Sequence, residues 1–578
     1  MRKLRIFQLF IVAALVFLAA CSSGGGSSAG QAKEPESSES AETAAGSGGD
    51  SDNKPAEEKK EIEEITVHVG INWIPPVQND GMFDKLRAEA SGVYTKWTYE
   101  TSDNEDTGRR LKLTSGDLPD VWAFYGPNGP AQADFLNAGV VQPIEDYLNM
   151  PDKYPNLAKI PQAVKDYSKA EDGHTYFLPL FINIEGGTKT DIKDGFWYWG
   201  QQGIFVRSDI LEQTGMTKDD LATIEGFEAF LAAAAKIKDG QGNPIIPLTM
   251  GDNFKGWRSI AASFGVETVN EASGMFPDGQ GGFIATRDHE NYKATWQWLN
   301  KMYNSGLLDK EAPTHKKELY LQKLTTGRAA AYIGSMSDIA EAGWAPAADE
   351  NDVTTKFEAI PFPKVQGVGS IGAIEANNPL PWTGAYIMKD ANLEASLKYL
   401  DWTLGNNIMT VNFGTPGPAP EHVWDYVDDQ KVVWNYHEEF IDDLTSGDAN
   451  KLQKYGQQPW YLANTNTPDV DTNETNVKKL KYKLQKKNGM LLAAQGMKRD
   501  GHNYDSVPVL QGGIVEKYKP AIDAIEMEYR AKMLIAKPAD FENVWNAYRN
   551  ELEKKGKWNE YKAEWLKQYE EFNKRVQY

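Results

Sequence analysis

The chain has 578 residues, too many for one compact core, so two or more lobes are expected. A formal net charge of −21 argues against a nucleic-acid partner, because phosphate binding needs basic grooves. The single cysteine, Cys21, excludes an intrachain disulfide and a cysteine-rich metal site.

The N-terminus opens with Arg2, Lys3 and Arg5 and continues as an apolar run from Ile6 to Ala20. That run is shorter than the ~20 residues a spanning helix needs. It ends Leu18-Ala19-Ala20-Cys21, which resembles a bacterial lipobox. The resemblance implies a signal peptide over 1–20, cleavage before Cys21, and acylation of its thiol. Residues 22–62 are small, polar and acidic and bury too little apolar surface to offset ordering entropy. They read as a flexible tether with a reach of roughly 35 Å. The G-x-S-x-G match at 26–30 lies inside this tether, with no strand before it and no helix after it, and carries no hydrolase meaning.

Order is expected from about residue 64. Ile65, Val67, Val69 and Ile71 alternate as in a half-buried strand. A helix follows around 81–90, a strand at 94–100 and a helix around 105–115; 118–126 reads as a short buried strand running into a Gly/Pro loop. Residues 204–216 read as strand, then Ser208 as N-cap, then a short helix closed by Gly215. Phe227, Phe230, Leu231 and Ala234 share one helical face. A strand is expected at 327–334, and a strand then a helix at 381–405, with Leu393, Leu397, Leu400 and Leu404 in one stripe. The last ~45 residues are helical and charged. This rhythm is that of an α/β protein with helices packed on sheets.

Several segments together resemble the bacterial extracellular solute-binding proteins of family 1, the receptors of carbohydrate ABC importers, and within them the large LplA-like lipoproteins. They are LTSGDLPDVWAFYG (113–126), HTYFLPL (174–180), IFVRSDILEQTGM (204–216), GRAAAYIGSMSDI (327–339), YIMKDANLEASLKYLDWTL (386–404) and NFGTPGPAP (412–420). The resemblance implies a two-lobed, periplasmic-binding-protein-like fold of type II, with three interlobe crossings and a ligand cleft between the lobes. Mapped onto the solute-binding domain, 64–578, lobe one takes about 64–182 and 350–412, and lobe two about 183–345 and 415–535. C-terminal helices follow at 536–578. Many large relatives carry a calcium loop after the helix equivalent to 227–238. Here that place reads KDGQGNPIIPL, where only Asp239 and Asn243 offer strong ligands, so no calcium is expected there. The segment 468–476 has Asp469, Asp471 and Asn473 at ligand-like spacing but lacks the loop glycine and closing glutamate, and reads as a solvated loop.

No catalytic constellation stands out. The seven histidines are scattered, and HEEFI at 437–441 has Ile441 where a zinc protease needs its second histidine. A glycosidase carboxylate pair is not singled out among the many acidic residues. Sugars lay their C–H faces on flat rings, while amides, carboxylates and Arg take the hydroxyls. In this fold the cleft is lined by loops leaving strand ends. Asn72 and Trp73, Phe124 and Tyr125, Trp257 and Arg258, and Trp382 fit that pattern. The row Phe196-Trp197-Tyr198-Trp199 lies where the chain first crosses between lobes; Trp197 and Trp199 are expected to face the cleft, with Glu185 as a polar partner. Trp122 is expected in the core, and Asp120 as a structural hinge or cap.

The sequence thus reads as a lipid-anchored, monomeric, non-enzymatic receptor on the outer face of the cell membrane, without cofactor or metal. It would capture an oligosaccharide and deliver it to ABC transporter permease subunits. A cell-surface carbohydrate-active hydrolase or lyase, and a receptor for a peptide or another polar solute, are the alternatives.

Overall fold

A computed structural model describes residues 62–74, 76–102, 104–127, 129–182, 184, 202–268, 274–278, 282–335, 338–339, 342, 357–372, 380–381, 383–429, 431, 434–445, 449–463, 507 and 512–576. Cys21 and the proposed tether lie outside them.

Lobe one is built on a five-stranded sheet. Its strands are β1 (Glu63–Val69), β2 (Val93–Tyr99), β3 (Val121–Tyr125), β4 (Phe177–Leu180) and β11 (Thr383–Ile387), in the order β2-β1-β3-β11-β4. β1 runs parallel to β2 and β3, whereas β11 is antiparallel to β3 and β4. Ile65, Val67 and Val69 are buried as their alternation requires, and Trp122 is fully enclosed. Asp120 is a structural tie: its Oδ2 accepts from the Thr66 amide and hydroxyl, each at 2.7 Å, and its Oδ1 accepts from the Asn392 amide at 2.8 Å. It thereby joins β1 to the start of the helix Leu393–Gly405.

Lobe two is built on a four-stranded sheet of β5 (Gln202–Arg207), β6 (Ile246–Met250), β9 (Ala329–Ser335) and β10 (Phe357–Ile360), in the order β10-β5-β9-β6. A small hairpin, β7 (Met275–Pro277) with β8 (Phe283–Ala285), lies beside it in sequence. Phe227, Phe230, Leu231 and Ala234 are all buried on the core face of the helix Ile224–Ala234. The helix expected to be capped by Ser208 starts one residue earlier, with Arg207 at the N-cap; the Ser208 hydroxyl instead donates to Glu358 at 2.8 Å, tying the helix to β10.

Two of the expected lobe boundaries move. β10 pairs with β5, so residues 357–360 belong to lobe two and the return to lobe one comes after them rather than near 350. The described residues from 415 to 462, expected in lobe two, pack with lobe one. Phe83, on the helix Met82–Ser91, shares a core with Phe413, Trp424, Trp434, Phe440 and Tyr455. Arg87 on the same helix donates to the carbonyls of Val411 and Asn412 at 3.2 and 3.3 Å. Within this segment β12 (Trp424–Tyr426) and β13 (Trp434–Tyr436) form a hairpin.

After residue 512 the chain is again in lobe two. The helices Ile514–Ile535, Phe541–Lys554 and Trp558–Arg575 contribute Ile522, Met533, Tyr548, Trp558 and Trp565 to its core. The last of them reaches back: Phe572 and Val576 lie in the lobe-one core, with Phe572 edge-on to Tyr167 at 6.2 Å. One helix is therefore anchored in both cores.

Candidate binding site

The pairing directions define which edges of the two sheets the crossings connect. The chain leaves lobe one at the C-terminal end of β4 and enters lobe two at the N-terminal end of β5; it returns from the end of β10 to the start of β11. The C-terminal ends of β1, β3 and β4 lie at the same edge as the start of β11. In lobe two, β6 and β9 run antiparallel to β5, so their C-terminal ends lie at its N-terminal end. Loops at these edges are where an open α/β sheet binds ligands.

At the lobe-one edge, Gly70 lets the chain turn closely past the sheet: a Cβ there would sit 2.4 Å from the Trp122 indole nitrogen. Asn72 and Trp73 follow, both exposed, Trp73 at 54%. The Trp73 indole N–H donates to the Tyr125 hydroxyl at 3.0 Å, and that hydroxyl donates to Glu105 Oε1 at 3.2 Å. The Asn72 amide donates to the same Glu105 oxygen at 2.9 Å, and its side-chain amide to the Ser102 carbonyl at 3.2 Å. Glu105 opens the helix Glu105–Ser115, whose positive N-terminal end favours a carboxylate; Asn104 caps it, accepting from the Thr107 amide at 2.9 Å. Burial, reinforced by the Glu105 charge, pushes the Tyr125 phenol up to about 12, so it remains a donor at neutral pH. The result is an exposed, oriented indole beside an amide, a phenol and a carboxylate.

Phe124 was expected at this surface and is instead its support. It is only 7% exposed, packs edge-on beneath Tyr125 at 4.9 Å, and carries the Arg109 guanidinium at 5.5 Å from its ring. Phe181, just after β4, has φ of 57°, a strained conformation for an aromatic, at the point where the chain leaves for lobe two.

At the lobe-two edge, Asn253 and Phe254 also have positive φ, 50° and 60°. A buried network holds the strand that leads into them. His315 Nδ1 donates to the Met250 carbonyl at 3.0 Å, and its Nε2 accepts from the Lys323 ammonium at 2.9 Å, since an ammonium can only donate. Lys323 also donates to Asp309 at 2.7 Å, which accepts from Thr249 of β6 at 3.0 Å. Beyond the strained pair a recess of about 290 Å³ opens, lined by Asn253, Lys255 and Trp257 on one side and by the helix Ile514–Ile535 on the other.

Trp257 does not present a face for stacking. It is 5% exposed, stacked on Trp296 at 6.0 Å, edge-on to Tyr292 at 5.5 Å, with the Arg530 guanidinium 4.9 Å from its ring centre. Arg258 points to a neighbouring loop, donating to the Thr268 carbonyl at 2.6 Å. These two are wall and brace of the recess. Glu185, Trp197, Trp199 and Trp382 lie outside the described residues.

Two residues at these edges escaped the sequence reading. Glu105 is one; its place in the first turn of a capped helix was readable, but its reach to residues 72 and 125 was not. Arg530 is the other, four residues after Glu526 on one helix face, a spacing that marks an ion pair without showing what it packs against.

Among the described residues no group of three or more His, Cys, Asp or Glu side chains is placed to hold a metal ion. In the loop after the helix Ile224–Ala234, Asp239 Oδ1 accepts the Gln241 and Asn243 amides at 2.9 and 2.8 Å. Its Oδ2 accepts from the Asn243 side chain at 3.2 Å and faces the Arg328 guanidinium at 3.6 Å. The His437 Nε2 donates to the Gly417 carbonyl at 2.8 Å. No described helix is long and apolar enough to cross a membrane.

Residues 81–420 match the family model described as bacterial extracellular solute-binding protein. The fructooligosaccharide ABC transporter substrate-binding protein FusA of Streptococcus pneumoniae is 29% identical over 284 residues, 46% of this chain and 48% of that protein. The polygalacturonan/rhamnogalacturonan-binding protein YtcQ of Bacillus subtilis is 24% identical over 289 residues, 48% of this chain and 46% of that one. The matched part thus spans about half the length of each curated relative. The structure of FusA in complex with kestose superposes with a TM-score of 0.62 at 20% identity, covering 89% of this chain and 100% of that one. The shared architecture is the two-lobed, type II periplasmic-binding-protein-like fold. The family model covers more than half of the 578 residues, and the chain belongs to the bacterial extracellular solute-binding proteins.

Proposed function

We propose that this protein is a receptor that captures an oligosaccharide between its two lobes and delivers it, unaltered, to the permease subunits of an ABC importer. The observation that carries this reading is the Trp73–Tyr125–Glu105 assembly: an exposed indole locked in orientation next to groups that exchange hydrogen bonds with hydroxyls. In this proposal Asn72, Trp73 and Tyr125 form the lobe-one contact surface, the recess beside Lys255 and Arg530 serves the other lobe, and Glu185, Trp197, Trp199 and Trp382 are further ligand contacts that the sequence alone suggests. FusA and YtcQ, both named for saccharide binding, support the ligand class. Closure is a population shift driven by contacts that only the closed form makes.

The Leu18-Ala19-Ala20-Cys21 sequence supports a lipid anchor on the outer face of the cell membrane, with the receptor acting as a monomer. Cys21→Ala should abolish acylation and release the protein or leave its precursor uncut; a normally processed, acylated variant would refute the anchor. For the ligand, a thermal-shift screen against plant and microbial oligosaccharides should raise the melting temperature with at least one sugar. Chromatography should recover that sugar unchanged. Conversion to product would identify an enzyme, and a response to peptides alone would identify a different receptor.

A further inference from the structure

The recess at the end of β6 has a charge unlike that of the chain as a whole. Of the described charged side chains lining it, Lys255, Arg287, Lys519 and Arg530 are cationic, and Asp523 and Glu526 anionic, on a chain whose net charge is −21. The deeper carboxylate is already committed. Glu526 accepts from Arg287 Nε at 2.7 Å, from Arg530 Nη2 at 2.9 Å and from the Tyr292 hydroxyl at 3.3 Å, and Tyr548 also donates to it. These donors, the two guanidinium groups above all, hold its pKa low against the burial that would raise it, so it stays ionised and has little capacity left for a ligand hydroxyl.

Arg530 retains capacity. A guanidinium has five donors in a fixed plane, and Arg530 uses Nε and Nη2 on Glu526 while lying over the Trp257 ring. At the mouth, the Lys255 and Lys519 side chains are 58% and 32% exposed and pair with Asp252 at 3.1 Å and Asp523 at 2.6 Å. Such solvent-exposed pairs are weak and readily exchanged for a ligand anion. Four of the six charged side chains lining the recess are cationic, which favours a ligand that itself carries negative charge.

We propose that the recess binds the carboxylate of a uronic acid unit within an acidic oligosaccharide, with Arg530, Lys255 and Lys519 as its charge partners. The inference rests on the oligosaccharide reading above and narrows it to a substrate class. At about 290 Å³ the recess is at the small end of the roughly 300–1,000 Å³ range of small-molecule sites and takes one sugar ring, not a whole chain. The planar guanidinium on its wall matches a carboxylate with two parallel hydrogen bonds.

The test is calorimetry on the full chain in detergent. The ligands are short oligomers of galacturonate, glucuronate and mannuronate, each paired with its methyl ester, and neutral oligosaccharides of the same linkages. Esterification keeps ring and linkage and removes the charge. At least one acid should bind, with its ester weaker by roughly tenfold or more, and 0.5 M salt should narrow that gap. Lys255→Gln and Lys519→Gln should each weaken the acid by about threefold and the ester by clearly less. Equal affinity for acid and ester overturns the proposal, as does binding of neutral sugars alone; either result leaves the receptor reading intact. An acid preference untouched by both lysine changes places the carboxylate elsewhere and overturns the assignment to this recess. Absence of binding to any saccharide overturns the receptor reading itself.

Discussion

The indole of Trp73 and the hydroxyl of Tyr125 are joined by a 3.0 Å hydrogen bond, which ties the loop after β1 to the end of β3. The bond fixes the orientation of an exposed ring without burying it, which is what a stacking platform requires.

Trp73→Ala should therefore weaken oligosaccharide binding by roughly 2 kcal/mol, about 30-fold, from lost apolar contact with the sugar. Unfolding free energy should move by no more than about 0.5 kcal/mol, because the ring is more than half exposed. Tyr125→Phe deletes the anchoring hydroxyl while keeping the ring, and should weaken binding by about 1 kcal/mol. Calorimetry and denaturant unfolding on the same preparations separate the two effects. A large stability loss at Trp73 with affinity retained would make the ring structural.

The C-terminal helix Trp558–Arg575 has Trp565 in the lobe-two core and Phe572 in the lobe-one core, so lobe opening must work against it. Phe572→Ala should lower stability by about 3 kcal/mol. It should also enlarge the drop in radius of gyration that ligand produces in small-angle scattering, because the free state opens further. An unchanged melting temperature and an unchanged scattering difference would show that the contact carries no load.

Acid sensitivity should begin at His68. Its ring is buried in β1, edge-on to Trp122 at 4.6 Å, and Nδ1 lies 2.9 Å from the Thr98 hydroxyl. Burial, with the Lys112 charge adding, lowers its pKa from 6.5 to about 3. Below pH 6.5 the unfolded chain takes up a proton that the native state refuses until about pH 3, so stability falls as pH falls through that window. The slope approaches about 1.4 kcal/mol per pH unit for one proton. His68→Leu should flatten the decline between pH 6 and 4.5 by up to that amount in denaturant titrations. An identical slope in the variant would assign the acid sensitivity to other groups.

The loop at Asp239 should be indifferent to calcium. Its carboxylate is occupied by the Gln241 and Asn243 amides and faces Arg328, a cation supplied by the chain itself. A metal bound to the native state would stabilise it by mass action, so chelator should shift the melting temperature by less than roughly 1 °C. A clear fall that added calcium restores would locate a metal site in the protein.

How much of this was legible in the sequence depends on the range of the interaction. The buried alternation of Ile65, Val67 and Val69, the helical face through Phe227 and Leu231, and the enclosure of Trp122 follow from local periodicity. Strand ends were legible too, and the pairing of β1 with β3 brings Trp73 and Tyr125 together at one edge. What periodicity does not carry is the partner of a residue far along the chain. Trp257 follows a strand end just as Trp73 does, yet it is covered by Trp296 and by Arg530, 273 positions later. Phe83 draws Trp424, Trp434, Phe440 and Tyr455 into lobe one through contacts more than 300 positions apart, where the resemblance put them in lobe two. Glu105 is a helix-opening acid by its sequence, and its tie to the ends of β1 and β3 shows only in its distance to Tyr125.

The central claim is that an exposed, oriented indole at the crossing edge of lobe one takes part in reversible sugar capture. It is tested most directly by titrating oligosaccharides into the wild-type chain and Trp73→Ala side by side and recovering the sugar afterwards. The account predicts saturable binding in the micromolar range or tighter, a loss of roughly 30-fold in the variant, and chemically intact sugar. Equal affinities in the two proteins, or sugar returned as cleavage products, would contradict it.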